Sequence, residues 1–438
     1  MHRAEELSGT VRAKASSVRW LIAAIVGLFA FVSYVERMNI SVAAELMMPA
    51  LGLTKTQMGQ IFSSFLVGYA IFQVPAGKLG DAVGPRVTLC LAAVLWGLTT
   101  VFTAVVGKIF VAGSATLLMA MIAVRFLLGA SEAATFPVGS RAIRNWTPPS
   151  ERAFGNAFMM AGSASAAAVS APLVSWLMLR FGWRPMFYMT SILAFGIALL
   201  WYGTATDRPR DHRMVNQQEL EVIGQFEGEP GKASSFLELL ADRNILFLSL
   251  SYVCEGYVLF IFVFWLYIYL VEVRGFSMLN GGLVASLPWL TALACTPLGG
   301  LACDRISERS GRLAGARAVI MLGYGLSGVL LFAAAKLNGR VAAVAALCIS
   351  VGALYFAEPA FWATAVHFSR GKAGTVSGIM NTAGILGGVI STSITPVIVS
   401  HFGWLPALAS GAGVAIACTG MWFFFGRRQT KQLVTSDI

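Results

Sequence analysis

The chain has 438 residues, 57% apolar and only 12% charged, and its mean hydropathy is +0.72. A soluble domain carries roughly 45–50% apolar and about 25% charged residues, so this composition excludes an ordinary soluble protein and points to one that spans a membrane. The net charge of +11 would suit a nucleic-acid partner only if it formed one patch; here the basic residues are scattered over short polar segments, where they set topology and meet membrane lipid, and no nucleic-acid partner is expected.

Crossing the hydrocarbon core takes about 20 apolar residues in a helix. In chain order, such windows predict helices over 19–43, 57–79, 86–106, 114–140, 153–178 and 184–203, then over 244–272, 280–303, 315–337, 341–366, 372–399 and 404–426. The fold class is an all-α membrane protein of twelve transmembrane helices in two six-helix bundles. The predicted organisation is a tail over 1–18, a bundle over 19–203, a linker over 204–243, a second bundle over 244–426 and a tail over 427–438. The N-terminal stretch lacks a short apolar core followed by a small-residue cleavage site, so it is not read as a signal peptide. Of the 32 Lys and Arg, 23 fall in the two tails, the linker and every second loop, and 7 in the alternate loops. Positive residues stay on the cytoplasmic side, which places both termini and the linker in the cytoplasm of a cell with an inner membrane.

The first helix contains YVERMNIS (34–41), with Glu36 and Arg37 adjacent inside an apolar run. An ionisable group within a span costs about 2.5–3.5 kcal/mol on insertion scales and marks a functional site by default. Five further positions raise the same question or bear on it: Arg125 and Glu132 in the fourth helix, Glu255 in the seventh, and Glu358 with Trp362 one turn on in the tenth. Arg125 and Glu132 are seven residues apart and return to nearly the same helix face. Because the first helix runs outward and the fourth inward, Glu36 and Arg37 are expected in the outer part and Glu132 in the inner part, serving opposite ends of a path. A permanently charged Arg in a watery cavity suits an anion, and a carboxyl there gains or loses a proton as its surroundings change. Salt bridges that merely lock the first half are the competing reading. Glu358 has two readings of equal standing, a hydrogen-bonding group for substrate or a carboxyl protonated or paired within its helix, and Glu255 suits a structural or outer-cavity role.

After the second predicted helix comes GKLGDAVGPR (77–86), and after the eighth GLACDRISERSGR (300–312). Each has Gly, three residues, then Asp (Asp81, Asp304), followed by basic residues (Arg86, Arg305), so the halves repeat. Small residues crowd the fifth and eleventh helices, as close sliding contacts require. The linker is expected to be helical around QQELEVIGQF. His367, beside Arg370 and Lys372, reads as a solvated loop histidine. The six cysteines form no CxxC pair, so neither disulfide nor metal site is inferred.

Paired repeats with substrate between them are an architecture of secondary transporters, and the chain resembles the major facilitator superfamily, whose helix 2–3 loop signature is similar to GKLGDAVGPR. YVERMNISVA, residues 52–86 and RFLLGASEAATFP (125–137) are in turn similar to its anion:cation symporter family, which includes carriers of sugar acids and other carboxylates. The resemblance implies that Arg37 binds the substrate carboxylate, that Glu36 and Glu132 couple protons, and that Arg125 neutralises Glu132. It further implies that Tyr34, Tyr69, Trp362 and Asn381 line the pocket, and that Asp81, Arg86, Asp304 and Arg305 latch a cytoplasmic gate. Two departures stand out: Glu36 where Asp is commoner, and Tyr267 where many relatives carry Pro.

With four histidines and no HExxH, GxxxxGK[ST] or GxSxG motif, an enzyme is not expected. A transporter-like sensor would need a larger cytoplasmic domain than this linker. The expectation is a monomeric carrier, without cofactor and driven by the proton gradient, that takes up a small organic anion such as a hexuronate, aldonate or aldarate. An organic-anion exchanger or a uniporter is the alternative.

Overall fold

The structure, a computed structural model, describes residues 15–148, 151–224, 236–369 and 373–436. Among these residues the regular structure is helical. The first half contains α1 (Val18–Leu51), α2 (Lys55–Val83), α3 (Pro85–Ile109), α4 (Ala115–Glu132), α5 (Thr135–Trp146), α6 (Arg152–Phe181) and α7 (Trp183–Thr204). The connecting segment carries α8 (Gln217–Ile223) and α9 (Phe236–Ala241). The second half contains α10 (Arg243–Glu272), α11 (Met278–Ser310), α12 (Arg312–Lys336), α13 (Arg340–Phe368), α14 (Ala373–Phe402) and α15 (Trp404–Ser436).

Counting α4 and α5 as one span, eleven helices among the described residues are long and apolar enough to cross a membrane. The twelfth, α2, is 29 residues long but carries Gln57, Gln60, Gln73, Lys78 and Asp81. These dilute its apolarity without shortening it. The helical expectation around QQELEVIGQF is met by α8, while residues 225–235, Arg370 and Lys372 lie outside the described residues.

The pairing of helices explains why the two halves repeat. In the first half α1 packs on α6, α2 on α4 and α3 on α7; in the second, α10 packs on α14, α11 on α13 and α12 on α15. Each pair in one half has its counterpart six spans later. Such contacts depend on small residues, because helices in lipid associate through close backbone packing. A Cβ on Gly129 of α4 would strike the carbonyl oxygen of Phe65 on α2, and one on Gly256 of α10 would strike that of Gly384 on α14.

Two expectations are corrected here. The helix expected to end at residue 43 continues to Leu51, so Glu36 and Arg37 lie near its middle rather than in its outer part. The span expected to run unbroken over 114–140 is interrupted at Ala133–Ala134, directly after Glu132. Pro137, three residues into α5, lacks the N–H that would bond back into the preceding turn. Glu132 is therefore also near mid-span, level with Arg37, and the two glutamates do not occupy opposite ends of a path.

The halves touch through α2 on α14, α6 on α11 and α1 on α10. The polar contacts between them gather at the end where α1 gives way to α2. Lys55 Nζ lies 2.6 Å from Glu272 Oε2 and 5.7 Å from the ring of Trp404, whose Nε1 donates to the same carboxylate at 3.2 Å. Just inside, the Phe62 ring stacks on Phe264 at 4.7 Å and meets Trp265 edge-on at 5.3 Å. Ser63 Oγ is 2.8 Å from Thr392 Oγ1, and Ser175 Oγ is 3.4 Å from the Tyr267 hydroxyl. This end is closed by an ion pair backed by an aromatic layer.

At the opposite end the connecting segment is pinned to the first half. Ser17, at the start of α1, caps nothing with its side chain, and Glu219 of α8 takes its place. Its carboxylate accepts from the N–H of Val18 at 2.9 Å, from the N–H of Arg19 at 3.0 Å and from the Ser16 hydroxyl. Arg19 Nη1 adds an ion pair at 3.3 Å, while its Nε reaches Glu151 Oε2 at 2.8 Å. Burial acts upward on the Glu219 pKa, but the bonds from Arg19, Ser16 and Val18 outweigh it and hold the carboxyl below its usual range. A depressed folded-state pKa stabilises above the unfolded-state value, and that stabilisation is lost as pH falls through the folded-state value. Glu219→Gln is expected to lower stability by about 1–2 kcal/mol at pH 7, the scale of a helix cap and its dipole. Thermal unfolding in detergent should show the gap between the two proteins closing as the pH is lowered below 4.

Candidate substrate site

Arg37 anchors the site. It projects from the middle of α1, is 4% exposed, and directs Nη2 and Nε to Glu132 Oε2 at 3.2 and 3.3 Å. Ser33 Oγ, one turn earlier on α1, donates to the same oxygen at 3.2 Å. Three rings surround the guanidinium: Tyr34 at 4.6 Å, Tyr69 at 4.8 Å and Phe65 at 5.2 Å. Phe65 and Tyr69 are four residues apart on α2, hence on one face, and Tyr34 approaches from α1. A cation over a ring face gains about 0.5–1 kcal/mol when exposed and about 2 or more when desolvated. The cage thus offsets part of the cost of keeping this charge out of water while leaving its hydrogen-bonding edge available.

Glu36 points elsewhere. It is fully buried, and its Oε2 accepts from Thr100 Oγ1 of α3 at 2.8 Å, from Asn39 Nδ2 at 3.0 Å and from Thr190 Oγ1 of α7 at 3.5 Å. The carboxyl is turned into the packing of α1, α3 and α7. The roughly 100° between adjacent helix positions is what separates it from Arg37.

Arg125 is also fully buried. The ion-pair partner of Glu132 is Arg37, across α1 and α4, while Arg125, to which the resemblance gives the neutralising role, makes no direct contact with that carboxylate among the described residues. Arg125 makes one long bond, from Nη2 to the backbone oxygen of Arg37 at 3.5 Å, and its guanidinium lies 5.8 Å from the Phe65 ring. Its Nε and Nη1 have no hydrogen-bond partner among the described residues. It acts on Glu132 and Glu36 through space, a cation held behind the cage.

The second half contributes a different cluster. Glu358 Oε1 accepts from the hydroxyl of Tyr252 on α10 at 2.6 Å and from Trp362 Nε1 at 2.7 Å; the one-turn spacing of Glu358 and Trp362 does bring them together. Glu255 on α10 is 5% exposed, and no described residue hydrogen-bonds its carboxyl. Tyr34 lies within electrostatic range of both Glu255 and Glu358. Asn381 is half-buried on α14 and makes no side-chain hydrogen bond to a described residue.

The loop motifs are not brought together. Asp81 is ion-paired with Arg141 of α5, in its own half. Arg86 donates from its backbone N to Asp207 Oδ1 at 2.8 Å and from Nη2 to the Tyr202 oxygen at 2.8 Å. Asp304 and Arg305 are exposed and bond to no described residue. Sequence reasoning did not identify Phe65, Thr100, Thr190 or Tyr252, none of which carries a charge. Only the four-residue spacing of Phe65 and Tyr69 offered a signal.

Comparison with known proteins gives this geometry its context. The family model of the Major Facilitator Superfamily matches residues 26–392. A protein named as a probable sulfoacetate transporter of Cupriavidus necator is 31% identical over 92% of this chain and 93% of its own. A probable galactarate/D-glucarate transporter of Bacillus subtilis is 31% identical over 90% and 88%, and that organism's hexuronate transporter is 29% identical over 85% and 86%. Among solved structures, a bacterial homolog of the human lysosomal transporter Spinster, in an inward-facing and occupied conformation, superposes with a TM-score of 0.74 at 16% identity over 93% of this chain and 97% of that one. The relatives are transporters rather than enzymes, the resemblance read from the loop and helix motifs holds, and the chain belongs to the Major Facilitator Superfamily as a multi-pass membrane protein.

Proposed function

We propose that the protein is a proton-coupled symporter that carries a sugar acid into the cell across the inner membrane, with both termini cytoplasmic. The observation that carries this reading is the ion pair of Arg37 and Glu132 within an aromatic cage near mid-span. The relatives named for galactarate/glucarate and hexuronate transport support the substrate class.

The coupling follows from competition for one guanidinium. Without substrate, Arg37 is neutralised by Glu132. A carboxylate arriving from solution cannot displace it cheaply, because the Glu132 charge would be left buried and unpaired. A proton on Glu132 removes that charge, and Arg37 then takes the substrate carboxylate. Anion and proton therefore enter together. Glu36, held by Thr100, Thr190 and Asn39, is a second proton acceptor on the far face of α1, and Arg125 keeps the field at both carboxylates positive. Tyr34, Tyr69, Trp362 and Asn381 shape the pocket.

Under the expected orientation the closed end, with Lys55, Glu272 and Trp404, faces outward, and the structure is the inward-facing member of the transport cycle. Rocking of the two bundles separates Lys55 from Glu272 to admit substrate. In that movement Asp81, Arg86, Asp304 and Arg305 belong to the gate that closes at the cytoplasmic end.

Uptake into proteoliposomes tests the reading. With an inward proton gradient the wild type should accumulate labelled glucuronate. Arg37→Lys should reduce uptake at least tenfold, because an ammonium lacks the planar donor pair and about 1.4 kcal/mol is a factor of ten. Glu132→Gln should keep gradient-independent exchange while losing accumulation. Accumulation by the wild type that ignores the gradient would instead identify an exchanger or a uniporter.

The closed end gives a separate expectation. Cysteines replacing Lys55 and Glu272 should cross-link under oxidation in the inward-facing state. Transport should then stop and return on reduction, whereas either single replacement stays insensitive to oxidant.

A further inference from the structure

The relatives are named for substrates of two charge types, doubly charged galactarate, glucarate and sulfoacetate and singly charged hexuronate, so likeness alone leaves the charge of the substrate open. The acidic cluster opposite Arg37 decides it. We propose that Glu358 restricts transport to monoanions, sugar acids with one carboxylate at the Arg37 end and hydrogen-bond donors at the other, and turns away substrates with a second negative charge. This rests on the reading that Arg37 takes the substrate carboxylate.

Three observations carry it. First, Glu358 is fixed by two donors on one oxygen, the Tyr252 hydroxyl at 2.6 Å and Trp362 Nε1 at 2.7 Å. An indole N–H only donates, so the carboxyl is held as an acceptor, and Oε2 keeps its lone pairs with no described residue donating to it. Second, Glu255 is nine-tenths buried, unpartnered by any described hydrogen bond, and interacts electrostatically with Glu358; no cation is paired with either carboxyl among the described residues. Third, Tyr34, which stacks on Arg37 at 4.6 Å, interacts electrostatically with both glutamates, and Tyr355 of α13 interacts with Tyr34 in turn. Tyr34 thus touches Arg37 and lies within electrostatic range of Glu358, and we take a substrate held by Arg37 to extend past Tyr34 toward Glu358.

What that end must be follows from the chemistry. A hydroxyl offers Oε2 a charge-assisted hydrogen bond. A second carboxylate or a sulfonate offers none and brings like charge against like charge. Specificity of this kind comes from a repulsive element as much as from an attractive one.

The test uses the purified full-length protein in proteoliposomes with two labelled probes of equal chain length, glucuronate and glucarate, at equal concentration. The wild type is expected to favour glucuronate at least tenfold. Glu358→Gln should lower glucuronate uptake several-fold and raise glucarate uptake, so that the ratio falls about tenfold; Glu358→Asp, which keeps the charge, should retain the discrimination. A wild type that carries glucarate as well as or better than glucuronate overturns the proposal without any variant. So does a folded Glu358→Gln protein with an unchanged ratio. The underlying reading fails separately, if the wild type carries neither probe or if Arg37→Ala transports as the wild type does.

Discussion

A guanidinium at the middle of a membrane helix has to be neutralised, and the rest of this structure is arranged around that requirement. Arg37 cannot shed its proton and lies too deep in α1 to reach an interface. It needs a carboxylate at the same depth on another helix. Glu132 meets the need because α4 stops directly after it, and because α2, which packs on α4, supplies Phe65 and Tyr69 to the other faces of the cation. The close approach that puts these groups in reach depends on Gly129, where any side chain would collide with the Phe65 backbone. Small-residue packing and buried charge are thus one design: the first allows helices to come near enough for the second to be tolerated.

Such a pair contributes little net stability, since the attraction in a low dielectric is largely cancelled by desolvation. Its value lies in the difference between its two states. In the proposed cycle Arg37 is occupied while Glu132 is charged and available to an anion once Glu132 is neutral. Among the described residues the Oε1 atom of Glu132 has no hydrogen-bond partner, and Nε and Nη1 of Arg125 have none either. These are groups arranged for a change of partner. Fully satisfied networks rigidify a core, and this one is left incomplete at the atoms where a proton and a carboxylate would arrive.

How far this was legible in the sequence depended on what each group costs. Apolar windows located the helices because the bilayer imposes their length, and the charges inside them stood out because each is expensive. The sequence said less about neighbours. The seven-residue spacing of Arg125 and Glu132, roughly 10 Å along the helix, argued against their direct contact and for neutralisation across the first and fourth helices, but that the partner is Arg37 depends on how α1 and α4 are rotated. Phe65, Thr100, Thr190 and Tyr252 are ordinary residues in a membrane helix, and their roles arise only from what they face. The break at Ala133–Ala134 was foreshadowed by Pro137, but apolar averaging over the window hid it. The continuation of α1 to Leu51 was hidden for a different reason: hydropathy marks where a helix leaves the apolar layer, and α1 continues for two more turns as part of the closed end.

The two halves repeat in backbone but not in charge, and the asymmetry has a physical consequence. In the first half Glu132 is paired with the Arg37 guanidinium, whereas Glu36 is held by the hydroxyls of Thr100 and Thr190 and the amide of Asn39. In the second half Glu255 and Glu358 face one another without a described cation, held by phenol and indole donors on one of them. Under the proposed coupling the first half responds to protons and the second contributes fixed polarity. Under the proposed selection a substrate spanning the two is sorted by its anionic end against one half and by its neutral end against the other. In the proposed cycle, bringing the bundles together requires both matches at once, because a mismatch at either end leaves a buried charge unpaired.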